Sequence, residues 1–387
     1  MRLAQDLAEV PIVPHDPPPP KRVMLLGLDW RQNGHLAAGL HEAGIETFLL
    51  TTGLADHFGL GRYCEHVRTP KYPSPEYVPF LRAEIARLRP DLLIPLCEPL
   101  IELLWGLDRL PAPIYPPTEA WQRKVVFDRR LLYRRAQSAG VPIPPWLPLS
   151  GPSDLDHAAG KFGFPLVIRG TAGFGGNQVR IVHSRDAACT ALEQIRKISP
   201  EQPFAQAFVR GGRYLFGGVF HQGEMIRSFS HRTLETHPAI TGPAIRIRPI
   251  REPRLAAHGE AIFRDLQWSG IAFAEFIQSE AGEFVLMEIN VRPWGSLEIA
   301  EKCGAQISRT FGEMLLGHAI TAQAPYPVGA DWLILEGYLL SRRQTGVWAT
   351  LRRLPPVDIW MCLKAVPWSR PRLAFHVMRR TYRFLWG

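Results

Sequence analysis

The chain has 387 residues, 46% hydrophobic and 21% charged, with 45 Lys and Arg against 36 Asp and Glu for a net charge of +9. This is enough apolar sequence to bury a sizeable core in two or three domains, and it excludes a disordered tail or a disulfide-stapled miniprotein. The charge is uneven: residues 331–387 hold ten Lys and Arg against Asp331, Glu336 and Asp358, a net of +7, so the preceding 330 residues carry only +2, too little to coat nucleic acid.

Residues 1–21 form a leader ending in the Pro17–Pro20 run, which favours an extended, solvated backbone. Lys21-Arg22 then precedes the apolar run Val23–Gly27, a helix from Leu36 to Gly44, and a second apolar run from Ile45 to Leu50. This is the alternation of a parallel sheet, and it continues through a helix over Val78–Leu88 and a strand over Leu92–Leu96. Residues 22–118 therefore read as a small open α/β domain. Gly27-Leu28-Asp29-Trp30 lacks the second and third glycines of a dinucleotide fingerprint, so a nicotinamide cofactor is not expected. Glu98 falls at the carboxyl edge of the sheet, where it is either a ligand-facing carboxylate or the acidic start of a helix.

Asp128 caps a helix that runs to Gly140, and Val141-Pro142-Ile143-Pro144-Pro145 forces an extended linker after it. The rhythm then changes to α+β. Strands are expected over Pro165–Arg169 and Val179–Val182, a helix over Ser184–Lys197, and a strand over Phe204–Val209. Two hairpins follow, one over Tyr214–His221 and Met225–Ser230, the other over Ile271–Ser279 and Glu283–Asn290, with a helix near Arg254–Gln267 between them.

In the second hairpin a Glu280–Glu283 loop sets Ser279 opposite Phe284 and Glu275 opposite Glu288, with Asn290 and Phe273 on the same face. The other face, Ala274, Phe276, Gln278, Val285, Met287 and Ile289, suits a core. Carboxylates directly opposed on a sheet lie about 5 Å apart and repel. A hard cation between them resolves the repulsion, and Glu275, Glu288 and Asn290 supply the oxygen donors magnesium prefers; two solvated carboxylates are the alternative. Arg169-Gly170-Thr171-Ala172-Gly173-Phe174-Gly175-Gly176-Asn177 joins two strands, so it is either a plain hairpin loop or a cradle of backbone N–H groups for phosphates; it is no Walker loop, because a strand follows it. Arg129, Arg169 and Arg292 add planar donor forks suited to phosphate, though Arg129, in a run with Arg130, Arg134 and Arg135, also reads as part of a solvated basic helix face.

With these residues in hand, the chain resembles the ATP-grasp superfamily, in particular its carboxylate-amine ligase and carbamoyl-phosphate-synthase-like branch. The resemblance runs over about residues 22–320, through Asp128-Arg129, Gly163–Arg169, Gln206–Val209 and Gly211, and is most specific at Ala274-Glu275-Phe276, Met287–Arg292 and Trp294-Gly295-Ser296. It implies a Rossmann-like preATP-grasp domain (22–118), then an ATP-grasp domain of two α+β lobes (119–320) and a basic C-terminal extension (321–387). It also implies ATP with its adenine against Gln206, Ala207, Phe208 and Val209, its phosphates at Arg129 and Arg169, and a lid carrying Gly173, Gly175 and Gly176. Magnesium, as one or two ions with manganese able to substitute, would sit on Glu275, Glu288 and Asn290. Arg292 and Arg169 would act on the transferred phosphoryl group or the acceptor, through an acyl phosphate that an amine attacks. Arg129 and Arg169 stand where many relatives have lysine, and Arg213 stands near a position where relatives often hold ribose with a glutamate; Glu224 and Gln206 are the substitutes at hand.

Five widely spaced cysteines (Cys64, Cys97, Cys189, Cys303, Cys362) form no C-x-x-C pair, and no apolar run reaches the roughly 18 to 20 residues of a membrane span, so a cytoplasmic protein is expected. His221, His231 and His237 match no zinc spacing and read as surface or substrate-facing. Five of eleven tryptophans lie in the basic tail, which either packs back on the core or rests on a membrane or partner protein, with Phe375–Leu385 as the docking helix. The expected function is an ATP-dependent ligase acting on a small-molecule carboxylate and an amine, without nucleic acid. The rivals are phosphorylation of bicarbonate or carbamate, and a nucleotide-binding docking protein whose catalysis has decayed. The oligomeric state is not encoded legibly.

Overall fold

The computed structural model describes residues 19–27, 31–51, 62–172, 178–199, 201–239, 242–342 and 360. The first unit alternates strand and helix: β1 (Arg22–Gly27), α1 (Arg31–Glu42), β2 (Glu46–Thr51), β3 (Glu65–Arg68), α2 (Tyr77–Leu88), β4 (Leu92–Pro95) and α3 (Glu98–Gly106). The strands pair in parallel in the order β3-β2-β1-β4. Sequence reasoning missed β3, whose Glu-His-Val-Arg has one aliphatic residue and sits at the edge. The buried runs of β1 and β2 are apolar on both faces because helices cover both sides of the sheet.

Next come α4 (Ala120–Phe127) and α5 (Arg129–Ser138), the latter capped by Asp128, whose carboxylate accepts from the N–H groups of Arg130 and Leu131. A small lobe follows: β5 (Trp146–Pro148), α6 (Pro152–Phe162), β6 (Leu166–Arg169), β7 (Val179–Val182), α7 (Arg185–Ile198) and β8 (Phe204–Ala207). Its antiparallel sheet has the order β5-β8-β6-β7 and buries its apolar face beneath α6 and α7.

The large lobe contains β9 (Gly211–His221), β10 (Glu224–Thr236), β11 (Ala244–Ile250), α8 (Pro253–Asp265), β12 (Gly270–Ser279) and β13 (Phe284–Asn290). It continues with α9 (Leu297–Lys302), α10 (Ile307–Leu315), β14 (Trp332–Leu333) and α11 (Leu335–Ser341). Its antiparallel sheet is ordered β13-β12-β9-β10-β11-β14. One face packs Phe216, Phe220, Phe276 and Leu286 against α8. The other packs Leu215, Val219, Phe229 and Phe273 against Trp294, α9 and α10, and through them against Leu36 and Leu40 of α1. Helices α1 and α10 approach closely where Gly39 meets Ser308 and Gly312 meets Ala43. The α/β plus α+β organisation expected from sequence is thus the one that folds, with β3, β5, β11, β14, α4, α6, α9, α10 and α11 added.

The β12–β13 hairpin departs from the expected register in an instructive way. Its tip is one residue longer, with Gln278 rather than Ser279 opposite Phe284, and a bulge at Met287 then restores the alignment so that Glu275 faces Glu288 and Phe273 faces Asn290. The two deviations cancel at the carboxylates but not between them: Phe284 and Leu286 turn into the core beside Phe276, where Val285 and Met287 were expected.

Beyond the sheet, residues 332–341 return to it: β14 pairs with β11, Trp332 packs at the core's edge, and Arg342 bonds Glu235. The docking helix expected over Phe375–Leu385, most of the basic tail and the start of the leader lie outside the described residues. Among the described residues no helix is long and apolar enough to cross a membrane.

Candidate functional site

The opposed pair Glu275 and Glu288 projects from the sheet face that also carries Leu215 and Phe273, each side chain about 30% exposed. Four arginines converge on it from four elements. Arg129, the first residue of α5, places Nη2 2.6 Å from Glu288 Oε2. Arg169, the last of β6, places Nη2 4.0 Å from the same oxygen. Arg213 of β9 lies on the Glu275 face because it pairs with Ile277; its Nη2 donates to Glu275 Oε2 at 3.0 Å and its Nη1 to the Gly242 carbonyl at 3.0 Å. Arg292 follows β13 and donates from Nε to Glu98 Oε1 at 2.6 Å.

These neighbours set the charges. Burial raises the Glu275 carboxyl above its usual range, and Glu288 raises it further, against the opposing pull of Arg213. Burial also acts to raise Glu288, but Arg129, Arg169, the Asn290 hydrogen bond and Arg292 together outweigh it and hold that carboxyl low. Glu288 is thus the fixed negative charge of the pair. Burial first, and Arg129 second, lower the Arg169 guanidinium.

Behind the carboxylates is a buried donor cluster. The Tyr133 hydroxyl lies 3.0 Å from Gln206 Oε1 and 3.1 Å from the Met287 carbonyl, and Arg169 Nη1 donates to Gln206 Oε1 at 3.4 Å. The Arg129 backbone N–H donates to the Thr171 carbonyl, tying the amino end of α5 to the loop after β6. Yet the Nε groups of Arg129 and Arg169 and the Thr171 hydroxyl are buried without a hydrogen-bond partner among the described residues. Buried cationic donors left unpaired at a helix N-terminus are what an incoming polyanion would satisfy. The donor set also fits a hard cation bound together with that polyanion. Glu275 Oε1 is not engaged by Arg213, among the described residues Glu288 Oε1 is hydrogen-bonded only by Asn290 Nδ2 at 3.4 Å, and the Asn290 amide needs a half-turn to offer Oδ1. Among the described residues no cluster of three His, Cys, Asp or Glu exists, so ligands from the polyanion would have to complete the shell.

The remaining expected residues divide. Gln206 is buried inside its sheet, paired to Trp146 on one side and Val167 on the other, and Ala207 N–H bonds the Pro145 carbonyl. Their backbones are therefore spoken for, and β8 ends at Ala207, so Phe208 and Val209 lie in the connection from β8 to β9. Gly173, Gly175 and Gly176 lie outside the described residues. Glu98 begins α3, satisfying the helix-start reading, and also pairs with Arg292 across the two units, which no local pattern announces. Glu224 pairs with Arg264 on the surface at the far end of β10, which removes it from the site. His231 is buried, a correction to the surface reading: its Nε2 lies 3.0 Å from Ser296 Oγ, and burial holds its pKa at about 3. Thr171 belongs to the loop read as a possible phosphate cradle, whereas Tyr133 was missed; it could have been found one helical turn after Arg129 on the buried stripe of α5.

No family model matches the chain. Over 184 residues, 44% of the chain, it is 26% identical to the chloroplastic biotin carboxylase of Arabidopsis thaliana, and over 226 residues it is 25% identical to the alpha subunit of mitochondrial methylcrotonoyl-CoA carboxylase of Rattus norvegicus. These matches span about a third of the relatives' length (34% and 30%). A biotin carboxylase from Campylobacter jejuni superposes with a TM-score of 0.65 at 16% identity, covering 81% of this chain and 74% of that one. N5-carboxyaminoimidazole synthetase from Staphylococcus aureus gives 0.64 at 14% identity, covering 83% and 84%.

Proposed function

We propose that this chain, which has the ATP-grasp fold behind a parallel-sheet domain and resembles the ATP-grasp carboxylate-amine ligases, is an ATP- and magnesium-dependent ligase that activates a small carboxylate for attack by an amine. The observation that carries this reading is the Glu275–Glu288 pair facing buried, incompletely bonded guanidinium groups from α5 and β6. Phosphoryl transfer asks little of a protein beyond positioning and charge, and these residues offer both. Arg129, Arg169 and Thr171 hold the triphosphate, Glu275, Glu288 and Asn290 hold magnesium, and Phe208 and Val209 receive the adenine. Bound magnesium neutralises charge on the phosphates. Arg292, anchored by Glu98, orients the acceptor: a carboxylate oxygen attacks the γ-phosphorus, ADP leaves, and the amine then displaces phosphate from the acyl carbon.

A second reading has specific support. The curated relatives are carboxylases by name, which favours bicarbonate as the phosphorylated acid. Hydroxylamine separates the cases. An acid-dependent release of ADP together with a stable hydroxamate supports the ligase; bicarbonate-dependent ADP release without an added organic acid supports the second reading; neither product, with ATP bound, leaves a nucleotide-binding docking protein.

A further inference from the structure

Each of the two opposed carboxylates has a guanidinium of its own. Glu288 Oε2 accepts from Arg129 Nη2 at 2.6 Å, and Glu275 Oε2 accepts from Arg213 Nη2 at 3.0 Å. The two arginines differ in setting. Arg129 is 9% exposed, opens α5 and is tied through its backbone N–H to the Thr171 carbonyl, on the side of the buried donor cluster. Arg213 is 29% exposed and reaches Glu275 from β9, where it lies between Ile277 of β12 and Thr233 of β10. Its Nη1 donates to the Gly242 carbonyl at 3.0 Å. Gly242 is held in turn by backbone bonds within its own turn, from the Gly242 N–H to the Pro238 carbonyl and from the His237 N–H to the Pro243 carbonyl. Arg213 is therefore anchored on its far side by a neutral acceptor, which an ion on Glu275 would leave in place.

We infer that Arg213 makes metal and triphosphate bind as one: it weakens the Glu275–Glu288 pair for a bare divalent cation and offsets that cost only when the cation arrives carrying phosphate. The inference rests on the ligase reading above. A cation on Glu275 Oε1 would lie about 5 Å from a guanidinium on Oε2, since the carboxylate spans about 2 Å and a metal–oxygen bond adds about 2 Å. Two positive charges against one at that distance, even screened by solvent at a half-exposed pair, should cost the bare cation about tenfold or more in affinity. A polyanion in the metal's shell reverses the sign. Its oxygens come within reach of the same guanidinium, whose planar fork can hold two of them. A cation at position 213, which gives a ribose hydroxyl nothing to donate to, thus has a use in this site. A counter-ion that only balanced Glu275 would add stability and leave the coupling of metal to nucleotide unchanged.

The test measures manganese binding to the full chain, by loss of the free ion's electron spin resonance signal, with and without a non-hydrolysable ATP analogue. Three proteins are compared: the native chain, Arg213→Gln and Arg213→Lys. In the native chain the analogue should tighten manganese binding by about tenfold or more. Arg213→Gln should bind bare manganese about tenfold more tightly than the native chain, and the factor gained from the analogue should shrink by a similar amount. Arg213→Lys keeps the charge but loses the fork, so its bare-metal affinity should stay within about threefold of native while the analogue factor falls. Circular dichroism checks folding, and should Arg213→Gln not fold, the lysine variant decides alone: a native analogue factor there overturns the inference. An Arg213→Gln chain that binds bare manganese no more tightly, or keeps the native analogue factor, overturns it while leaving the ligase reading intact. Failure of the analogue to bind the native chain, with or without manganese, defeats the ligase reading and the inference with it.

Discussion

Glu288→Gln removes one negative charge from between two guanidinium groups while preserving shape. Arg129 lies 2.6 Å and Arg169 4.0 Å from the same carboxylate oxygen, and both arginines are buried. At an effective dielectric of about 20, unit charges 4 Å apart interact by about 4 kcal/mol. The carboxylate's exposure and its desolvation cost reduce the net, so the ligand-free variant should lose about 1–3 kcal/mol and several degrees in Tm. The nucleotide response carries the sharper sign. In the native chain Glu288 repels the triphosphate unless magnesium intervenes. In the variant the freed guanidinium groups should hold metal-free ATP about tenfold or more tightly, and magnesium should add nothing. Thermal unfolding with ATP in EDTA or in magnesium checks this for both proteins, since ligand at 100 times its Kd adds about 2.7 kcal/mol. A variant that keeps the native magnesium-dependent shift, or that binds metal-free ATP no better, refutes the assignment of Glu288.

Three further outcomes follow from the same geometry. Because the buried His231 stays neutral down to about pH 3 while the unfolded chain takes up a proton near 6.5, its contribution to stability is present above that range and is lost as pH falls, at about 1.4 kcal/mol per unit. Urea unfolding from pH 4 to 6.5 should show a shallower slope in His231→Gln, and equal slopes would contradict it. Glu98→Gln should loosen Arg292 and raise the KM for the acid about tenfold with nucleotide affinity unchanged; steady-state and binding measurements on one preparation would expose an effect on nucleotide instead. A methyl at Gly217 would lie 2.9 Å from the Trp294 ring and 3.0 Å from Phe273 Cβ, so Gly217→Ala should cost about 1–3 kcal/mol in urea unfolding, and a neutral result would mean Trp294 can move away.

The carboxylate pair was legible in the sequence because strand alternation has a period of two and the apolar partners occupy the intervening positions. The bulge was not legible, since an extra residue at Met287 leaves no compositional trace and here compensates a longer tip. Elements with strong local signals emerged directly: the Asp128 cap, the hairpin that became β9 and β10, and the apolar strands of the first unit. Strand β3 has little apolar content, and α9 and α10 owe their burial to α1, which lies more than 250 residues earlier in the chain. The ion pairs Arg213–Glu275 and Arg292–Glu98 were unreadable for the same reason, because partners separated by 62 and 194 residues meet only through tertiary packing. Arg213 looked like a defect in ribose recognition when considered alone. Beside Glu275 it is a counter-ion to a half-buried carboxylate.

The packing of α10 on α1 also bears on the order of assembly during synthesis. Leu36, Ala37 and Leu40 are covered by residues near Phe311 and Met314, which leave the ribosome about 270 residues later. At roughly 5–20 residues per second that interval is on the order of 15–55 s, during which the helix has its own sheet to rest on but not its outer cover. A nascent chain halted before Ile307 would therefore present an apolar helix face to chaperones, and the face of α1 that carries Leu36, Ala37 and Leu40 would be among the last to be covered.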